Sequence, residues 1–157
     1  LKIVIDSREQ NPLDFQVGSI VKQVEVRGLP WADYWGQDDE GREYPVSFER
    51  KSLGDCFGTL TSGMDRFKRE LERAKDASAT VYLLIEASLS EVLQGFEHST
   101  ISGEQIIKTI FSLKVRYGLE PIFCNNRHEA RYHIVHTFMA IDRCMAKNNA
   151  APQVTKS

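Results

Sequence analysis

The sequence predicts an α/β sandwich in which a mixed central β-sheet is flanked by α-helices. Three observations carry this. Short β-rich segments crowd the first fifty residues, strand and helix patterns alternate after them, and Thr80 to Ile85 is an unbroken apolar run of strand length. Such a run belongs to a central strand covered on both faces.

Lys2 to Ile5 is short, apolar and β-branched, and it ends in the polar segment Asp6 to Pro12, so a buried strand feeds a loop. A second strand is expected around Ile20 to Arg27, and a third from Asp33 to Trp35 after the break at Pro30. The run Gln37-Asp38-Asp39-Glu40-Gly41-Arg42 has hairpin-turn composition and returns the chain as a strand from Tyr44 to Lys51. Alternation along that strand puts Ser47, Glu49 and Lys51 on one face and Val46, Phe48 and Arg50 on the other.

Ser52 is suited to cap a short helix with Asp55 in its first turn, and Met64 to Ala77 repeats Phe67, Leu71 and Ala74 at helical spacing. Helices resume after Glu86. Ser102-Gly103-Glu104-Gln105 reads as a capping box opening a helix through Ile106, Ile107, Ile110 and Leu113, which stops near Gly118. Leu119 to Cys124 supplies one more strand. A last helix, from Arg127 to Met145, carries Ala130, Ile134, Phe138 and Ile141 on one stripe. Residues 1–146 are thus expected to form one domain with its own core, and 147–157 a loose polar tail. The first residue is Leu1, directly before a strand, which reads as a fragment of a longer chain.

Composition narrows the function classes. No apolar run approaches the roughly 20 residues that span a bilayer, so no membrane partner is expected. Cys56, Cys124 and Cys144 are odd in number and far apart, as structural thiols in a reducing, intracellular compartment would be. The formal charge of −2 excludes holding a nucleic acid by bulk charge, so any such partner must be gripped locally.

One constellation carries chemistry. Asp33 at a strand start faces Glu49-x-Lys51 on the next strand of a hairpin, and Lys51 lies about 7 Å beyond Glu49 on the same strand face. Phosphodiester hydrolysis needs a hard cation, which binds through one or two carboxylates, substrate phosphate and water. Asp33 and Glu49 supply such oxygens, and Lys51 can reach an attacking water or a phosphate oxygen. Asp6 and Glu9 follow the first strand, and Asp55 lies one helical turn past the fourth, at strand ends where α/β folds gather ligands.

These residues resemble the nuclease domain of the XPF family, marked by Gly-Asp, a variable gap and Glu-Arg-Lys-x-x-x-Asp. The chain reads Ala32-Asp33 and then Glu49-Arg50-Lys51-Ser52-Leu53-Gly54-Asp55. Val4-Ile5-Asp6-Ser7-Arg8-Glu9, Ser62 with Asp65-Arg66-Phe67, and Leu83-Leu84-Ile85-Glu86 extend the likeness over most of the chain. The resemblance implies a restriction-endonuclease-like fold and Mg²⁺-dependent cutting of flaps, forks or other branched DNA, with Mn²⁺ as an alternative ion, in repair, recombination or replication. By position it implies Asp33 and Glu49 as principal metal ligands with Asp6 and Glu9 near the ion. Lys51 would act on the water or phosphate, Arg50 and Asp55 would support catalysis, and Arg8, Ser62 and Arg66 would contact DNA.

Two departures stand out. Ala32 replaces the family's usual glycine, which matters where a positive φ is needed. The tandem helix-hairpin-helix module that many family members add is not visible within these residues, so the implied partners are a second copy of the chain or a separate DNA-binding subunit or domain. The location expected is the nucleus in a eukaryote and the cytoplasm in a bacterial, archaeal or viral setting. A catalytically inactive DNA-binding or scaffold subunit, and a junction resolvase on the same fold, are the alternative readings.

Three further features have competing interpretations. The basic residues of the Met64–Ala77 helix serve phosphate contact or an ion-paired solvated face. Trp31, Tyr34 and Trp35 stack on unpaired bases or pack the hairpin core. His128, His133 and His136 lack a complementary ligand and read as helix-surface histidines.

Overall fold

Eleven elements follow one another in the computed structural model, which describes residues 1–150. They are β1 (Lys2–Asp6), β2 (Gln23–Arg27), β3 (Tyr34–Gln37), β4 (Val46–Lys51), α1 (Leu53–Thr59), α2 (Met64–Asp76), β5 (Thr80–Ile85), α3 (Leu89–Gln94), α4 (Gly103–Tyr117), β6 (Glu120–Phe123) and α5 (Arg127–Ala150). One six-stranded sheet has the order β2-β1-β3-β4-β5-β6. Strand β3 is antiparallel to both β1 and β4, whereas β2 runs parallel to β1 and β5 and β6 run parallel to β4. The mixed, helix-flanked sheet is the one the sequence predicts.

Helices cover both faces. Val81, Leu83 and Ile85 of β5 pack with Phe57 of α1, Phe67 and Leu71 of α2, Val92 of α3 and Ile110 of α4. On the other face Phe48 and Leu84 meet Ala130, Ile134 and Phe138 of α5. Each fully buried side chain of this kind stabilises by about 1.5–3 kcal/mol.

The differences from expectation lie at element ends. Strand β2 begins at Gln23 because its one partner among the described residues, β1, begins at Lys2 opposite it, which leaves Ile20 in a loop and 45% exposed. The hairpin turn forms as predicted, closed by Asp38 N–H to Arg42 O (3.0 Å), with Gly41 at φ +82. Ser102 caps α4 by accepting from Gln105 N–H at 3.2 Å, but the full reciprocal box forms at Ser88 and Glu91, which the sequence reading passed over. Gly103 follows from that packing: a Cβ there would lie 2.0 Å from Val92 O.

Helix α5 continues to Ala150, so the expected tail is helical over Lys147–Ala150, and its remainder, 151–157, lies outside the described residues. Tyr34 and Trp35 belong to the interior, and Trp31 is half-buried against Trp35. Tyr34 is fully buried, and Trp31 and Trp35 lie 4.7 Å apart between ring centroids. Cys56 and Cys124 are buried free thiols, and Cys144 is exposed. No helix among the described residues is long and apolar enough to cross a membrane.

Candidate active site

The carboxyl ends of β1, β4 and β5 and the amino end of β3 meet at one end of the sheet, because Ile5 pairs with Tyr34 and Lys51 with Ile85. A cavity of about 310 Å³ opens there. The sheet contributes Asp6, Arg8, Ala32, Asp33, Glu49 and Lys51 to its wall. The α1–α2 corner contributes Ser62, Arg66 and Glu70. Seven of the ten candidate site residues therefore share one cavity. Glu9, Arg50 and Asp55 are not in its wall.

Glu49 is 5% exposed, on the face of β4 that Ser47 and Lys51 share, and accepts from Lys51 Nζ at 2.9 Å. Burial pushes its carboxyl up, against the pull of the adjacent Lys51 ammonium. Burial and then the neighbouring Glu49 charge also push Asp33 up, to about 8, although Arg50 N–H donates to its Oδ2 at 2.8 Å. For Lys51, burial favours the neutral amine, but the charge of Glu49 and the hydrogen bond to it outweigh that and raise the pKa. Two crowded carboxyl groups beside one ammonium are thus held in little water.

Asp6 reaches the wall with both oxygens engaged. Oδ1 accepts from Leu29 N–H at 3.0 Å and Oδ2 from Arg8 Nε at 2.9 Å. Arg8 also donates to Leu29 O at 2.7 Å, so the pair latches the loop before Pro30 to the end of β1. Glu9 turns to the other face of the sheet. It pairs there with Arg50 Nη2 at 3.4 Å, and Arg50 Nη1 donates to Glu86 at 2.8 Å. Arg50 points away from Glu49, as strand alternation predicts. Glu9 goes with it, because an arginine nine-tenths buried needs carboxylates around it. Arg50 engages the Glu9 carboxylate, whose charge is still felt by Asp33 and Glu49 across the sheet. As the anchor of the loop after β1 Glu9 is well placed.

Asp55 sits exposed in the first turn of α1, its N–H donating to Ser52 Oγ at 3.2 Å, and acts on the site only through its field at Lys51. Ser62 and Arg66 line the open side, and Arg66 pairs with Glu70 at 3.7 Å. Glu70 is the site residue that sequence reasoning missed. Read as one of several charges on α2, it is in fact 15% exposed, lines the cavity and acts on Glu49 across it. Its position one helical turn after Arg66 and between Phe67 and Leu71, which face the core, was the available signal. Ala32 occupies φ +60 and is 5% exposed. The glycine-like backbone is therefore kept, with a methyl group in a conformation that strains L-residues.

Asp33 and Glu49 fit a hard divalent cation. They are two carboxyl groups whose mutual repulsion an ion would relieve, and Asp33 Oδ1 has no hydrogen-bond partner among the described residues. No three His, Cys, Asp or Glu side chains of the described residues already converge as an ion site. Two protein carboxylates completed by phosphate and water is the arrangement Mg²⁺ commonly takes.

The sequence model of the ERCC4 domain matches residues 5–137. The structure of XPF from Aeropyrum pernix superposes with a TM-score of 0.62 at 22% identity, covering 88% of this chain and 65% of that one. XPF from Aeropyrum pernix in complex with DNA superposes with a TM-score of 0.61 at 19% identity, covering 97% and 68%. The chain thus spans about two thirds of the length of these structures, and at such identities the likeness is one of fold. No curated protein sequence matches the chain.

Proposed function

The chain belongs to the ERCC4 domain family, a family of structure-specific DNA nucleases, and on that premise we propose that it is itself a metal-dependent endonuclease. Its substrate would be a flap, a fork or another branched DNA, cut in one strand. The observation that carries this reading is the meeting of Asp33, Glu49 and Lys51 in one cavity, with both carboxyl groups pushed up.

Asp33 and Glu49 would hold Mg²⁺, or Mn²⁺ in its place, and the ion when bound supplies charge neutralisation at phosphorus and a more acidic water. Lys51, released from its 2.9 Å contact with Glu49, is within reach of the scissile phosphate or the attacking water and stabilises negative charge there. Arg8, Ser62 and Arg66 hold neighbouring phosphates at the open side. Arg50 keeps Asp33 oriented through its N–H, and its side chain fixes the Glu9 loop from the far face. Asp55 favours the charged form of Lys51. The products would carry 5′-phosphate and 3′-hydroxyl ends. The protein would act on DNA inside the cell, in the nucleus of a eukaryote or the cytoplasm otherwise, with a second copy or a separate DNA-binding subunit as partner.

The test is to incubate the protein and Glu49→Ala with Mg²⁺ and labelled flap, fork, four-way junction and plain duplex. The expected result is Mg²⁺-dependent cutting of flap or fork by the wild type and none by Glu49→Ala. Cutting of four-way junctions alone would replace this reading with a resolvase. No metal-dependent cutting of any substrate would replace it with a non-catalytic DNA-binding subunit.

A further inference from the structure

The overall charge of −2 hides a local asymmetry on the far side of α2 from the cavity. Gly63, Arg66, Phe67 and Glu70 face the candidate active site, whereas Met64 and Lys68 line a separate cleft of about 320 Å³ between α2 and α4. Helix α4 contributes Gln105, Lys108, Thr109, Ser112 and Arg116 to that cleft, with Leu113 and Met64 as its apolar floor. The lining therefore holds three cations, three neutral hydrogen-bonding side chains and no carboxylate, in a chain whose acidic residues outnumber its basic ones by 22 to 20.

The cations are available. Lys68 and Arg116 have no ion-pair partner among the described residues, and Lys108 has only Glu104, at 3.3 Å with both side chains about three-quarters exposed. An exposed pair of this kind contributes at most about 1 kcal/mol, so a stronger anion displaces it. Guanidinium, ammonium, hydroxyl and amide donors in one groove are the groups that bind nucleic-acid phosphates without reading bases. From Gln105 to Arg116 the lining extends about 16 Å along α4, at 1.5 Å per residue. That length matches the axial rise of about five base pairs of a duplex, at 3.4 Å each. The cleft also adjoins the cavity through the first turn of α2, where Gly63 lines one and Met64 the other.

We propose that the α2–α4 cleft is a second DNA site, which holds the backbone of a duplex arm through Lys68, Lys108 and Arg116 while another part of the same substrate enters the candidate active site. It supplies part of the local grip that the net charge denies the chain as a whole. The inference rests on the nuclease reading for its purpose, but its test is independent of cutting.

The test measures binding of a fluorescent fork with 20-base-pair arms in EDTA, by anisotropy over a salt series, for the wild type, Lys68→Gln/Arg116→Gln and Arg143→Gln/Lys147→Gln. The last variant removes the same charge from exposed positions on α5. The expected result is roughly tenfold weaker binding for the cleft variant, with the slope of log K against log salt reduced by about 1.8, since each lost phosphate contact removes about 0.9. The α5 variant should bind as the wild type does. Equal losses in the two variants, an unchanged slope in the cleft variant, or no binding by the wild type would each overturn the second site, whether or not the protein cuts DNA. A wild type that binds as expected but cuts nothing would leave the cleft standing and overturn the nuclease reading alone.

Discussion

Arg50 N–H donates to Asp33 Oδ2 at 2.8 Å, so the residue whose side chain serves one face of the sheet orients, through its backbone, a carboxylate in the cavity. Because Asp33 is pushed up to about 8, the folded state holds a proton there that the unfolded chain releases near pH 4. That contribution to stability is fully present below about pH 4 and is lost as pH rises through about 8. Asp33→Asn keeps the acceptor and removes the titration. In EDTA its melting temperature should therefore gain on the wild type steadily between pH 5 and pH 8, and in a separate assay with Mg²⁺ its cutting should fall by at least about 100-fold. A pH-independent difference between the two melting curves would contradict the stated environment of Asp33.

Arg50→Met tests the other face. It leaves Glu9 and Glu86 without their common cation at side-chain exposures of 12% and 17%. Urea unfolding should show a loss of roughly 3 kcal/mol, the scale for breaking a buried pair from one side. A loss under about 1 kcal/mol would mean the pairs behave as surface ones.

At Ala32 the backbone decides. Ala32→Gly relieves a positive-φ strain of about 1 kcal/mol and gives up a buried methyl, so stability should stay within about 1 kcal/mol of the wild type. Ala32→Val puts a β-branched side chain at φ +60 and should be destabilised by more than about 2 kcal/mol. Equal melting temperatures for the two variants would argue against the left-handed conformation.

Glu70 acts on Glu49 through its charge. Glu70→Gln should raise the Mg²⁺ concentration for half-maximal cutting by about fivefold, the effect of roughly 1 kcal/mol of attraction across the cavity. Circular dichroism should be unchanged. An unaltered Mg²⁺ titration would reduce Glu70 to a partner of Arg66.

Thiol labelling checks the core. Burial pushes Cys56 and Cys124 up to about 11, whereas Cys144 is exposed. Since the thiolate is the reactive form, iodoacetamide at pH 8 should modify the native protein once, at Cys144, as read by peptide mass. Modification of Cys56 before Cys144 would contradict the packing of α1.

Much of the site was legible because it is local. Asp33, Glu49 and Lys51 belong to one hairpin, where period-2 alternation assigns faces without knowledge of the rest of the fold. The same rule turned Arg50 outward. What alternation cannot say is which loop the arginine will capture, so the pairing of Arg50 with Glu9, 41 residues earlier, was not legible in the sequence. Glu70 was missed for a related reason: one helix gives several faces, and only the packing of α2 on the sheet decides which charge enters the cavity. Strand ends were misjudged where pairing sets them, as at Gln23, and the strand least dependent on its flanks, Thr80–Ile85, was read to the residue.

The hairpin turn at Asp38–Arg42 lies at the far end of β3 and β4 from Asp33 and Lys51, about 14 Å away along the four residues of β3. The domain therefore has a chemical end and an inert end. A fluorophore, an affinity tag or new chain termini created by circular permutation can be carried at exposed Glu40 and Gly41 without reaching the cavity.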